Sequence, residues 1–562
     1  MSKAFREIIS ILAATVLLFS CAMPAFAAST CSCGNYPVVV VNGMGDSPYI
    51  KDAGSRNEEV VFPPQSDDIK KIVALGVPAL MASMASNNYS LAEKVIIPLA
   101  KDMLEGMSFN PDGTSKYNVT TANYGAGSVE NYPDVLGGSN ERGLAHTFAD
   151  ELGADHVYVF NYDWRYSPLD NCVELRRIVE MAKAETGHNK VSLTACSMGG
   201  IVTLAYLYKY GGADINSCTM LSSTFCGTNL VNDIFNKRIT ITEKDLNNFL
   251  NDAVAKDETE EKIFDYLFVF LDFLGTTDRV FSKADDAVAT LIDDIYWDVI
   301  IPCFGYFPGL WALVNNDEDF ENGKKLMLEK ADDSFIEYID FFHYNVMNNR
   351  KNILDDAQAQ GMKLYIVSHY DKCGYPLYDA VAEQTDGLLE TSCTSGGATC
   401  APYGEALPDS YVQVCCTDLG HKHISPDKIL DASTAMYPEQ VWLIKDYRHV
   451  GCKYGTNMCQ LVYKFTQSDE QLTVSSLTDY PQFLEMDENE NIKSGVKFAY
   501  IKGNMDQTDD SVTTSDARLA LRVAAQLETV NSMQKYLGDM DDNNVIDTTD
   551  ARTILRIAAK LQ

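Results

Sequence analysis

Val191-Ser192-Leu193-Thr194-Ala195-Cys196-Ser197-Met198-Gly199-Gly200 is the stretch on which the reading of this chain turns. An apolar run ends in a small-x-Ser-x-Gly corner, and a helical pattern over 201–210 starts directly after it. A strand that stops in so tight a turn holds its serine in a strained, presented position, so only small side chains fit two residues to either side. Gly199 meets that demand, and Ala195 stands where such corners usually carry a second glycine. Ser197 is therefore the candidate nucleophile. A serine hydroxyl is inert at neutral pH without a base, so partners must come from elsewhere in the chain.

Upstream, Pro37-Val38-Val39-Val40-Val41-Asn42-Gly43-Met44-Gly45 is a β-branched run stopped by glycines, the mark of a buried parallel strand and its exit loop. Similar runs occupy 156–160, 190–194, 218–221, 363–367 and 440–444, with helical patterns such as 171–185 between them. Strands alternating with helices imply a parallel sheet covered on both faces. With the serine corner, the expected fold class is α/β, of the α/β-hydrolase type. Residues 228–350 break the alternation with helical, aromatic-rich sequence, notably 263–274 and 306–313, and read either as a cap over the site or as a packed helical subdomain.

Of eight histidines, His146, His156 and His188 precede the nucleophile, against the Ser–acid–His order of this fold. His343 lies in the helical insert, and His369 follows a strand. His449, in the loop after the 440–444 strand and before a helix-like segment, has the expected position for the base; His421 and His423 are the alternatives. The orienting acid should fall between the penultimate strand and the histidine, where Asp386-Gly387 lies, with Asp371 as its rival. Oxyanion donors are expected from the backbone N–H groups of Met198 and Met44. No cofactor is needed for this chemistry.

These motifs resemble a known group. Asn161-Tyr162-Asp163-Trp164-Arg165 and Ala195-Cys196-Ser197-Met198-Gly199 look like segments of the lecithin:cholesterol acyltransferase family of lipases and phospholipases, and Asn42-Gly43-Met44-Gly45 and Asp386-Gly387 look like those of bacterial triacylglycerol lipases. The resemblance covers roughly residues 36–226 and 363–465. It implies carboxylic-ester hydrolysis or acyl transfer, on a lipid ester, near a cap or lid. Ala195 and the long insertion between Gly397 and Pro438 depart from the family pattern. The 162–165 segment reads as a structural ion pair and aromatic anchor rather than as catalytic.

Near the C-terminus, Asp516 to Ala525 and Asp550 to Ala559 repeat one loop–helix pattern about 34 residues apart. The pair resembles dockerin modules, which bind two calcium ions and dock onto cohesin domains. On that resemblance Asp539, Asp541, Asn543, Val545 (through its carbonyl), Asp547 and Asp550 are the calcium ligands of the second copy. Asn504, Asp506, Asp509 and Asp516 are those of the first, whose loop is one residue longer.

Lys3 and Arg6, an apolar run of about a dozen residues and Ala25-Phe26-Ala27 make residues 1–27 a signal peptide, too short to span a bilayer. The expected order is then a catalytic domain at 28–470, a linker or short β segment at 471–500 and the module at 501–562, in an exported protein without a transmembrane anchor. A net charge of −34 argues against nucleic acid as a partner. Fifteen cysteines in an exported chain permit disulfides, and no cysteine–histidine spacing has the form of a zinc motif, so no structural zinc is expected. The rival functions are a carbohydrate-acyl esterase or acyltransferase of a cellulosome-like complex, and a non-catalytic scaffold component.

Overall fold

Strand alternation organises the molecule. The computed structural model describes residues 31–561, apart from 32, 46, 87, 122–126, 133–142, 239–292, 375–382, 409, 416–422, 450–455, 478, 488–490, 495–500, 507–510, 529, 531, 542 and 544. The expected signal peptide, the 263–274 stretch, His421 and Asp509 thus lie outside the described residues.

Eight strands build the central sheet: β1 (Val38–Val41), β2 (Val157–Phe160), β3 (Val191–Cys196), β4 (Ile215–Leu221), β5 (Lys363–Tyr370), β6 (Val441–Lys445), β7 (Phe483–Met486) and β8 (Ile492–Ser494). They pair in the order β8-β7-β6-β5-β4-β3-β1-β2. Every pairing is parallel except β7 with β8. The segment 471–500 therefore supplies the last two strands at one side of the sheet. The main helices around it are α1 (Leu144–Leu152), α2 (Pro168–Thr186), α3 (Gly199–Tyr210), α4 (Asn229–Phe235), α5 (Arg350–Ala359) and α6 (Thr456–Gln467).

Successive side chains of a strand point to opposite faces, and these strands are apolar on both. Val39, Val41, Leu193, Ala195, Leu364 and Ile366 join one core with residues of α2, α3 and α5, including Leu175, Ile201 and Leu354. Their neighbours Val38, Val40, Tyr365, Val367, Trp442 and Ile444 join a second core with Phe148 of α1 and Leu461 and Phe465 of α6. Each large apolar side chain buried this way contributes about 1.5–3 kcal/mol.

The stretch 306–313 packs into the core. Phe307, Trp311 and Leu313 belong to the same apolar cluster as Val39 and Leu193, and Phe307 meets Trp164 edge-on with ring centroids 5.7 Å apart. At the C-terminus, α7 (Thr514–Ala524) and α8 (Thr548–Ala558) each begin with a reciprocal capping box, Thr513 with Asp516 and Asp547 with Asp550. Met505, Ala520, Ile546 and Ile554 form their own small core. Among the described residues, no helix is long and apolar enough to cross a membrane.

Candidate functional site

β3 ends at Cys196, and Ser197 turns the chain with φ at +50°. A non-glycine residue in that region is strained and persists only where its surroundings over-determine it. Here the Ser197 N–H donates to the Leu221 carbonyl at 3.2 Å, while the Ser197 carbonyl accepts from the N–H of Gly200 at 3.1 Å and of Thr224 at 3.0 Å. Glycine is required at 199 because a Cβ there would collide with the Val41 carbonyl. The corner leaves Ser197 half-buried between fully buried neighbours.

The downstream histidine reaches this hydroxyl. His449 Nε2 lies 2.9 Å from Ser197 Oγ, and His449 Nδ1 lies 2.7 Å from Asp386 Oδ2. A second bond fixes the two loops, since the His449 N–H donates to the Asp386 carbonyl at 2.7 Å. Asp386 is inaccessible to solvent, and its Oδ1 accepts the N–H groups of Leu388 at 3.0 Å and Leu389 at 2.7 Å. Burial alone would raise this carboxyl, but the facing His449 and the amide donors hold it below its usual 3.8. An ionised Asp386 accepts only, so Nδ1 carries the imidazole proton and leaves the Nε2 lone pair for the serine O–H.

No family model and no curated protein matches this chain.

The exit loop of β1 lies against the same serine. A Cβ on Gly43 would stand 2.6 Å from Ser197 Cβ and 3.1 Å from its Oγ, so the loop runs directly against the serine. Met44 follows immediately. Met198 forms the N-cap of α3, where unsatisfied N–H groups and the helix dipole favour negative charge.

The alternatives are engaged elsewhere. Asp371 pairs with Lys445 at 3.3 Å. His423 has Nδ1 2.7 Å from Gln482 Oε1 and Nε2 3.2 Å from Glu439 Oε1. Arg165 is fully buried; it grips Asp163 with Nε at 2.9 Å and Nη2 at 2.6 Å, donates Nη1 to the Met107 carbonyl, and lies over the rings of Tyr49 and Phe109. That is an anchor, with the Trp164 and Phe307 rings beside it.

Sequence reasoning missed the support behind the triad. His369 lies within β5, fully buried, with Nδ1 2.9 Å from Ser222 Oγ. Desolvation drives its pKa down to about 3, so it is a neutral imidazole near the charged Asp386. Tyr447, two residues before the base, packs edge-on against it at 4.6 Å. Ser222 and Thr224 follow β4 without any motif; only contacts reveal that this loop pins the corner.

In the C-terminal module, carboxylate oxygens of Asp539, Asp541 and Asp550 lie within 4.8 Å of one another. Asp550 Oδ1 accepts the Met540 N–H at 2.7 Å and Oδ2 the Asp547 N–H at 2.8 Å. Asp539 Oδ1 accepts the Asn543 N–H, Asn543 Oδ1 the Val545 N–H, and Asp547 caps α8. The first copy repeats the frame, with Asp516 Oδ1 accepting the Asp506 N–H at 2.8 Å. In that register Asp506 matches Met540, so the buried Met505 matches Asp539; Asn504 lies one residue before it. Three converging carboxylates repel one another, and an all-oxygen set with one bidentate-capable carboxylate at the loop's end suits a hard cation such as calcium.

Proposed function

We propose that this chain is a secreted serine carboxylic ester hydrolase of the α/β-hydrolase type, acting through an acyl-enzyme. The observation that carries the reading is the continuous relay from Ser197 Oγ through both nitrogens of His449 to the buried Asp386, at 2.9 and 2.7 Å. A strained serine at a strand–helix corner, with glycine-containing backbone against it, supports the same chemistry.

Ser197 Oγ attacks the ester carbonyl carbon as His449 Nε2 takes its proton. The carbonyl π electrons move to the oxygen, and the Met44 and Met198 N–H groups hold that oxyanion. Collapse breaks the bond to the alcohol oxygen, which leaves with the proton returned by His449. Water then repeats the cycle on the acyl-enzyme, releasing the carboxylic acid and restoring Ser197. Asp386 keeps the imidazole in the productive tautomer and stabilises its cation throughout.

A lipid ester is the favoured substrate, on the resemblance of residues 161–165 and 195–199 to the lecithin:cholesterol acyltransferase family. The C-terminal module is proposed as dockerin-like, holding calcium through Asp539, Asp541 and Asp550 with the flanking Asn543, Val545 and Asp547, and docking onto a cohesin-type scaffold. That tail favours a second reading, an ester of a plant-fibre polysaccharide. Assaying wild type and Ser197→Ala on long-chain acylglycerols and on acetylated xylan tests both. Hydrolysis of one substrate class by wild type alone is expected; equal activity in the variant contradicts the proposal.

A further inference from the structure

Four metal-type ligands meet at the end of the sheet opposite Ser197. Cys33 Sγ lies 3.3 Å from His188 Nε2 and 3.7 Å from His156 Nε2, and Cys31 Sγ lies 3.9 Å from the same His156 nitrogen. All four ligand atoms fall within 4.8 Å of one another, and both cysteines are free thiols. A tetrahedral zinc ion with Zn–S near 2.3 Å and Zn–N near 2.0–2.1 Å requires sulfur–nitrogen separations of about 3.6 Å. The observed separations bracket that value. Hydrogen bonding alone does not explain the group, because a single His156 nitrogen faces two sulfurs at long range.

The topology explains how residues so distant in sequence converge. Cys31 and Cys33 lead into β1, His156 immediately precedes β2, and His188 lies in the turn between α2 and β3. β2, β1 and β3 are adjacent and parallel, with Val38 in register with both Val157 and Ser192. Three neighbouring strands therefore begin side by side, and their entry loops bring the ligands together. The Asp155 carboxylate stands 3.0 Å from His156 Nδ1, out of line for a hydrogen bond but close enough to favour an imidazole polarised by a metal. His156 is buried, whereas Cys33 is exposed, so an ion can enter from solvent.

We propose that Cys31, Cys33, His156 and His188 bind one structural zinc ion. Thiolate and imidazole donors suit zinc, and four protein ligands close the tetrahedron, leaving no position for substrate. On binding, the two thiols release their protons to solvent as the Zn–S bonds form. β3 separates the site from Ser197 by about 20 Å, at roughly 3.3 Å per residue, so the ion acts on architecture and not on ester chemistry. It staples the segment ahead of β1 to the sheet, beside the bonds that Tyr36 makes with Gln467 and Asp469.

The test is metal analysis of the purified full chain in calcium-containing buffer, by plasma mass spectrometry, for wild type and for the double variant Cys33→Ser/His188→Ala. One zinc per wild-type chain, lost in the variant, is expected. Cobalt loaded into the unaltered chain is expected to give thiolate charge-transfer and tetrahedral d–d absorption, which the carboxylates of the C-terminal module cannot produce; this arm stands even if the variant fails to fold. A wild-type chain that carries no zinc and gives no thiolate–cobalt bands overturns the proposal, as do equal zinc in both proteins or a Cys31–Cys33 disulfide found by peptide mass spectrometry.

Discussion

The two ends of the sheet are assembled by opposite rules. At the C-terminal ends of the strands, Ser197 is fixed by ten consecutive residues, because a strained corner constrains the side chains beside it. At the N-terminal ends, Cys31, Cys33, His156 and His188 share no local pattern and meet only because three parallel strands begin together. A site written into one turn can be read in sequence; a site written into strand order cannot. The ends should also fail differently, the first in rate and the second in stability.

The largest effect belongs to the corner itself. Ser197→Ala should lower kcat on the order of 10⁴-fold or more, since it removes the proposed nucleophile, with the melting temperature nearly unchanged. Asp386→Asn should cost on the order of 10³–10⁴-fold in kcat, because an amide beside Nδ1 favours the wrong tautomer. Gly43→Ala, whose added methyl would press on Ser197 Cβ, should cost on the order of 10²–10³-fold by displacing the proposed oxyanion loop. Steady-state kinetics with calorimetry on the same samples would check all three; large melting shifts without rate loss would erase the contrast between the ends.

A smaller effect comes from the neutral imidazole beside Asp386, at the same end of the sheet as Ser197. His369 titrates at about 3 in the folded chain against a usual 6.5. Between those values the unfolded chain binds the extra proton and the native one does not, so this residue makes stability fall as pH drops from about 6.5 towards 3. Asp386, held below 3.8, adds its loss only in the lowest part of that range. Glu390, raised by burial to about 7, works in the other direction, favouring the fold as pH drops. Comparing His369→Asn with wild type cancels the Glu390 contribution, and the melting temperature of the variant minus that of wild type should rise as pH falls below 6.5. Removing calcium should act on α7 and α8 alone, lowering helical circular dichroism while ester hydrolysis persists.

How much the sequence discloses follows the same distinction. The valine run of β1 and the strands at 190–194 and 440–444 are legible because strands apolar on both faces leave continuous runs. The corner sets Ser197, and strand order then narrows the acid and base to short loops, where contact geometry distinguishes His449 from His423 and Asp386 from Asp371. His369 is hidden inside β5, whose boundary extends past Val367 to Tyr370. Residues 306–313 read equally as cap or as packed subdomain because aromatic clusters suit both; the contact of Phe307 with Trp164 shows only that they join the core. The Ser222–Thr224 brace has no local signature at all.

The central claim rests on an activated hydroxyl at residue 197. Incubating the protein with a fluorophosphonate probe and mapping the modified peptide tests it most directly. The account predicts modification at Ser197 that is lost in His449→Ala; an unlabelled Ser197, or labelling as fast without the histidine as with it, would contradict the account.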